Sequence, residues 1–320
     1  MDIAQRVRPI TKEKALESYQ ELIDFDCTKP MGLTREGTKA LDYFFFKHRL
    51  AAKTKRHISF LNILKNKKEY AYLKNKTRKI KKYDQLVKKK TPDEQLRNQY
   101  GVFQLYYGTI NQFRPTVAKS LYCLLKPKKA ILDISSGWGG RCIAAMSLGI
   151  PYIGFDANTK LKSSYAKMVK TLDPKANVRM TFKPSETIDF SKYDYDLVFT
   201  SPPYFMLEEY EGMPVYDQKQ GFLDVFFVPV LKNVWAGLAA GGHLALNMPD
   251  EMYDAVKKCL PPVTKKLKMP LMDRHAEEAV LGADLKKGET ERFEYIYIWK
   301  KGGASSAFKE GAKGCGVAVE

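Results

Sequence analysis

From residue 129 onward, short apolar runs alternate with stretches of helical periodicity, and that order limits the fold more than any other property of the chain. Residues 130–134 are apolar except for Asp133, too short a run for a helix and suited to a strand buried on both faces. A glycine-rich turn over 135–140 follows, then a helical stretch over 141–148 closed by Gly149. Residues 151–156 read as a second strand, 160–172 as a second helix, 178–182 as a third strand and 195–200 as a fourth. A long helix is expected over 222–238 in spite of Pro229, a fifth strand over 243–248 and a late strand over 293–299. This alternation predicts an α/β fold with a mostly parallel sheet covered by helices on both faces. At 320 residues with 44% hydrophobic side chains, the chain can bury one such core and carry an appendage.

The appendage is N-terminal. Residues 1 to about 46 read as helical. Thr11 is placed to cap a helix carrying Ala15, Leu16 and Tyr19, with Glu13, Glu17 and Glu21 on its polar face. Pro30-Met31-Gly32 breaks it, and Thr34 is the expected cap of the next helix, whose apolar set is Ala40, Leu41, Phe44 and Phe45. Residues 47–90 then hold 17 Lys or Arg against two acids, Glu69 and Asp84, so they supply most of the net charge of +18. Apolar residues are interleaved at spacings of three and four, among them Phe60, Ile63, Leu64, Tyr70 and Leu73. A disordered basic tail would carry fewer of them, so two or three basic amphipathic helices are expected. Charge concentrated in this way suits phosphate contacts with a nucleic acid; a membrane-surface segment is the competing reading. Thr91-Pro92-Asp93-Glu94 starts another helix, and a further one is expected over 116–125. The expected organisation is a basic helical extension over 1–100, an α/β domain over 101–301 and a Gly/Ala/Ser-rich disordered tail over 302–320.

Ligands of open α/β sheets bind beyond the carboxyl ends of the strands. Three features fall there. The first is Asp133 with the loop over 135–140, whose glycines let backbone approach a ligand and whose following helix start favours an anionic group. The second is Asp156, an acid at the end of the second strand that suits the paired hydroxyls of a ribose. The third is Thr200-Ser201-Pro202-Pro203-Tyr204 at the end of the fourth. Two prolines stop that strand, because neither can donate to a ladder. The stiff turn presents a hydroxyl, free carbonyls and a ring, which suit a planar amine. Alone, such a turn merely ends a strand; together with the other two it marks a site.

The five cysteines include no Cys-x-x-Cys pair and the histidines are scattered, so no zinc site is expected. Free thiols in a reducing compartment are expected instead. There is no apolar N-terminal signal region and no apolar run of about 18 residues, which predicts a soluble intracellular protein with no membrane partner.

Asn111-Gln112-Phe113-Arg114-Pro115, the run from Asp133 to Gly140, Gly154-Phe155-Asp156 and Ser201-Pro202-Pro203-Tyr204 together resemble the DNA amino-methyltransferases, over about residues 105 to 300. The resemblance implies a Rossmann-like class I methyltransferase fold with a seven-stranded sheet. It implies transfer of a methyl group from S-adenosylmethionine to an exocyclic nitrogen of cytosine or adenine in DNA. It implies that Phe113 and Pro115 border the methionine end of that cofactor and that Asp133, Ser135, Gly137 and Gly139 line its loop. Asp156 is then the ribose residue, Ser185 and Glu186 flank the adenine, and Ser201, Pro202, Pro203 and Tyr204 hold a flipped target base. A serine at the first position favours cytosine N4 over adenine N6. Carbon-5 methylation needs a cysteine nucleophile, and no cysteine lies between Cys142 and Cys259. RNA remains an alternative substrate, since lysine does not distinguish phosphates, and a non-catalytic nucleic-acid-binding subunit is the alternative from another class. No large target-recognition domain fits, so recognition falls to 1–100, 206–221 or 261–292.

Overall fold

The computed structural model describes residues 2–32, 34–80, 91–204, 216, 219–270, 293–302 and 308. Most of the expected recognition segment over 206–221, the part of the segment over 261–292 that runs from 271 to 292, the last part of the basic stretch over 81–90 and nearly all of the tail lie outside these residues.

Among the described residues the sheet has seven strands: β1 (Ile131–Asp133), β2 (Tyr152–Phe155), β3 (Val178–Thr181), β4 (Leu197–Thr200), β5 (His243–Met248), β6 (Lys265–Pro270) and β7 (Phe293–Lys300). Their order is β3-β2-β1-β4-β5-β7-β6. The first five are mutually parallel, and β7 runs antiparallel between β5 and β6. Alternate residues of each central strand enter different cores. Ile131, Tyr152, Phe199 and Ala245 face one layer, and Leu132, Ile153, Val198 and Leu244 face the other.

The first layer contains α2 (Lys12–Asp24), α3 (Thr38–Ala51), α7 (Pro115–Leu125), α8 (Gly140–Met146) and α9 (Lys162–Leu172). Thr11 accepts a hydrogen bond from Lys14 N–H and caps α2 as expected. The cap of α3 differs from the expectation: Gly37, not Thr34, holds it. Gly37 has φ 80°, and an added Cβ would lie 3.0 Å from Leu22 and 3.1 Å from Ile143, so close packing of α2 and α8 demands glycine there. The second layer contains α10 (Lys219–Phe222), α11 (Val228–Gly237) and α12 (Asp250–Val256). Pro229 is accommodated because a π-helical turn, Leu223–Phe227, precedes it and leaves it in the first turn of α11, where its missing N–H costs little.

A third cluster lies outside α3. There α1 (Ile3–Val7), α4 (Phe60–Lys65), α5 (Lys67–Lys79) and α6 (Pro92–Tyr107) pack on Phe46 and Leu50 around Phe60, Leu73, Tyr100 and Phe103. Thr91 and Glu94 close a reciprocal capping box on α6. The helix α3 therefore has apolar side chains on two sides, Leu41, Phe44 and Phe45 toward the sheet layer and Phe46 and Leu50 toward the basic helices. The N-terminal helices α2 and α3 share the core of the sheet domain rather than forming a separate body.

A further expectation is corrected. Cys27, just after α2, and Cys123, in α7, form a disulfide with Cα atoms 6.2 Å apart. Cys259 is disulfide-bonded as well, and among the described cysteines only Cys142 is free. The expectation of free thiols fails because it rested on spacing along the chain, whereas the packing of α2 on α7 and α8 brings together residues 96 apart. β6 lies in the stretch over 261–292 that the sequence offers for recognition; its residues, Lys-Lys-Leu-Lys-Met-Pro, carry the lysines and terminal proline that an edge strand tolerates. Among the described residues no helix is long and apolar enough to cross a membrane.

Candidate active site

The carboxyl ends of β1, β2 and β4 lie side by side, so the three features singled out in the sequence share one edge of the sheet. A single side chain ties two of them together. The Ser135 hydroxyl lies 2.7 Å from that of Thr200 and donates to the Ser201 carbonyl at 3.0 Å. The glycine loop after β1 and the Pro-Pro turn after β4 are thereby held in register.

The loop itself is braced from behind. Asp133 is fully buried, so it faces the loop's support and not solvent. Its carboxylate accepts from Arg141 Nε at 2.7 Å, from Arg141 Nη2 at 3.3 Å and from the Tyr152 hydroxyl at 2.6 Å. Arg141 also donates to the Ser135 carbonyl. Burial, the largest influence on Arg141, lowers its pKa, but the Asp133 charge and hydrogen bond together with Tyr152 and Tyr122 outweigh it, and the guanidinium is held in its charged form. Tyr165 donates to the Gly137 carbonyl at 3.0 Å from α9. Gly140 is a matter of space: a Cβ there would sit 2.1 Å from the Phe113 carbonyl oxygen. That contact seats the segment before α7 against the loop, and the Phe113 ring lies over Arg141 at 5.2 Å and edge-on to Phe199 at 5.4 Å. Pro115 is buried at the start of α7.

Asp156 stands half-buried at the end of β2. One carboxylate oxygen accepts from Gly137 N–H at 2.7 Å and the other from Asn158 N–H at 2.9 Å. Burial pushes its carboxyl up to about 6, against the pull of those two N–H groups. The Ser185 hydroxyl donates to the Ile134 carbonyl at 2.6 Å, which ties the turn after β3 to β1, and Glu186 next to it is half-buried.

In the turn after β4, Pro202 is buried while Ser201, Pro203 and Tyr204 are partly exposed. Ser201 donates to the Tyr204 hydroxyl at 3.3 Å. That hydroxyl meets the Glu294 carboxylate at 3.0 Å and the Asn247 carbonyl and side-chain oxygens at 3.3 Å. Asn247 Nδ2 donates to Glu294 at 3.1 Å and to the Tyr295 carbonyl at 3.2 Å. Burial, and next the negative charge of Glu294, raise the Tyr204 hydroxyl well above its ordinary pKa.

Sequence reasoning missed Arg141, Tyr152, Asn247 and Glu294. A charged residue opening the first helix after a glycine loop was a visible signal for Arg141, since it lies eight residues beyond a buried acid. Asn247, a polar residue inside an apolar strand, was a signal too. Glu294 had none, because only the antiparallel return of β7 brings it to this edge. Of the basic stretch, Arg49 is not available to phosphate. It is buried, pairs with Asp42 at 2.6 Å and donates to the Ile110 carbonyl at 2.9 Å and to Gln112 at 2.9 Å, so it fixes the segment leading to Phe113. Among the described residues no cluster of His, Cys, Asp and Glu could hold a metal ion.

A seven-stranded sheet in this order, with one antiparallel strand inserted next to the last, has the topology of the Rossmann-like class I methyltransferase fold. No protein-family model and no curated protein matches the chain in sequence. Solved structures that it resembles include TrmN from Thermus thermophilus, at 16% identity and a TM-score of 0.42 over 66% of this chain and 68% of that one. An rRNA methylase from Streptococcus thermophilus is 12% identical, with a TM-score of 0.37 over 61% of this chain and 99% of that one. Magnesium protoporphyrin IX methyltransferase from Synechocystis PCC 6803 is 10% identical, with a TM-score of 0.39 over 71% of this chain and 90% of that one. The strand order and register carry the assignment of the fold; the substrate has to be argued from the site.

Proposed function

We propose that the protein is an S-adenosylmethionine-dependent methyltransferase that acts on the exocyclic amino group of a base in DNA, with cytosine N4 favoured over adenine N6. The observation that supports this most is the Ser135 bridge, because it couples a cofactor-type loop to a Ser-Pro-Pro-Tyr turn across adjacent strand ends.

The residues fit the cofactor. Asp156 uses each oxygen for a single backbone N–H and so keeps lone pairs for a ribose diol. The loop over 135–140 carries no side chain at Gly137, Gly139 and Gly140, and Asp133 serves it from behind through Arg141. Phe113 closes the methionine end. When bound, the cofactor supplies an activated methyl group, so the protein's task is mostly to position the acceptor. Ser201 and the Pro202 carbonyl accept hydrogens from the amine, which draws its lone pair out of conjugation with the ring. The partly exposed Tyr204 ring stacks on the extruded base. Exposed lysines and arginines of α5, such as Lys74, Arg78 and Lys79, contact the phosphate backbone.

Nucleoside mass spectrometry after incubation of the protein with S-adenosylmethionine and unmodified duplex DNA tests this reading. N4-methylcytosine is the expected product. N6-methyladenine would keep the chemistry and change the base. Modification of structured RNA but not DNA would overturn the substrate, and no product on either would overturn the enzyme assignment.

A further inference from the structure

The hydroxyl of Ser201 does not end at the target-facing turn. It donates to Tyr204 Oη at 3.3 Å, and Tyr204 Oη in turn donates to Glu294 Oε2 at 3.0 Å. Asn247 holds that same carboxylate oxygen through Nδ2 at 3.1 Å while anchoring itself on the Tyr295 carbonyl. Three elements, the turn after β4, the end of β5 and the start of β7, thus converge on one carboxylate at the sheet edge. Nothing about stacking a base needs this. A tyrosine ring can stack with its hydroxyl in water, and holding a half-buried carboxylate against it has a desolvation cost that stacking does not require.

We propose that Ser201, Tyr204 and Glu294 form a proton relay that discharges the methylated amine, with Glu294 as the final acceptor. The inference rests on the functional reading above. When the amine nitrogen forms its bond to the methyl carbon, the electron pair of the broken methyl–sulfur bond stays on sulfur. The nitrogen then bears a positive charge and one proton more than the product. That proton passes to Ser201 Oγ as the serine proton moves to Tyr204 Oη and the tyrosine proton moves to Glu294 Oε2. The base leaves neutral, both hydroxyls are restored and Glu294 holds the proton until it exchanges with solvent. Neither hydroxyl has to ionise, which accords with a Tyr204 hydroxyl that burial makes hard to deprotonate. Glu294 acts through Tyr204 and is a positioning residue for the proton, not a group that touches the base.

The test uses the full-length protein, S-adenosylmethionine and duplex DNA under single-turnover conditions, with DNA affinity measured separately by filter binding. Loss of a general base costs about 10²-fold or more in rate, so Glu294→Gln is expected to slow methyl transfer by about 10²-fold with unchanged DNA affinity. Tyr204→Phe keeps the ring and removes only the relay hydroxyl; it should lose a similar factor, and the double variant should lose no more than either single one. Added formate should restore Glu294→Ala in a dose-dependent way. The proposal is overturned if Glu294→Gln stays within a few-fold of wild type, if the two losses multiply in the double variant, or if rate and DNA affinity fall together without formate rescue. If a Glu294 variant fails to fold, Tyr204→Phe decides alone, and a wild-type rate in it refutes the relay. A wild-type protein that methylates nothing refutes the functional reading instead.

Discussion

Replacing Arg141 by Met should cost the protein more than any surface change, and the structure says by how much. Arg141 is buried, and its partner Asp133 is fully so. Methionine matches the volume of the arginine stem, so the loss is electrostatic and not a cavity. Three hydrogen bonds disappear, two to Asp133 and one to the Ser135 carbonyl. The Asp133 carboxylate is left with the Tyr152 hydroxyl and the Ser135 N–H. Breaking a buried pair from one side costs about 3–5 kcal/mol, because the surviving charge is stranded. At about 2–4 °C per kcal/mol for a large domain, the thermal midpoint should fall by roughly 6–20 °C. Removing the stranded charge as well should return part of the loss, so Asp133→Asn combined with Arg141→Met should be more stable than Arg141→Met by at least about 1 kcal/mol. Calorimetric melting of the wild type, both single variants and the double variant closes the cycle. A loss under about 1 kcal/mol in Arg141→Met, or strict additivity in the double variant, would refute the view that this pair braces the loop.

Other outcomes follow from the same structure. The Asp156 carboxyl, raised to about 6, is charged above that pH and neutral below it, and only the charged form binds a ribose diol strongly. Affinity for S-adenosylmethionine, by titration calorimetry between pH 5 and 7.5, should therefore fall as pH drops through about 6; a flat profile would remove Asp156 from the ribose. Neutralising Lys74, Arg78 and Lys79 should flatten the slope of log affinity for duplex DNA against log salt by about 2.7, at about 0.9 per lost phosphate contact. An unchanged slope would show that α5 does not touch the nucleic acid. Replacing Cys27 by Ser should lower stability by about 2–4 kcal/mol under oxidising conditions and leave it unchanged in reductant, as measured by denaturant unfolding with and without reductant. Equal midpoints for wild type and variant in both conditions would argue against the Cys27–Cys123 bridge.

The parts of this protein that depend on local pattern were legible in its sequence. The order of β1 to β5, the capped starts of α2 and α6 and the three features at the carboxyl edge follow from apolar periodicity, turn chemistry and glycine, each of which acts over a few residues. Asp133, Ser135, Asp156 and Ser201 could be picked out because strand ends are local events. What those residues do was less legible. Asp133 looked like a loop residue and is a buried brace, because whether an acid faces ligand or core depends on Arg141 and Tyr152, which only packing delivers.

The remainder was decided by tertiary structure alone. A basic hexapeptide became β6 because β7 offered it a free edge, and Gly37 displaced Thr34 as a cap because α2 and α8 leave no room for a side chain. Cys27 met Cys123 although they lie 96 residues apart. Arg49 left the basic surface to hold Ile110 and Gln112, and Glu294 came to Tyr204 from 90 residues away. In each case the deciding partner is distant along the chain, and a sequence pattern records only how a residue relates to its near neighbours. The sequence by itself thus determined the central strands and helices and the edge they present; the tertiary contacts determined the edge strand β6, which charges are buried, which are paired and which remain for chemistry.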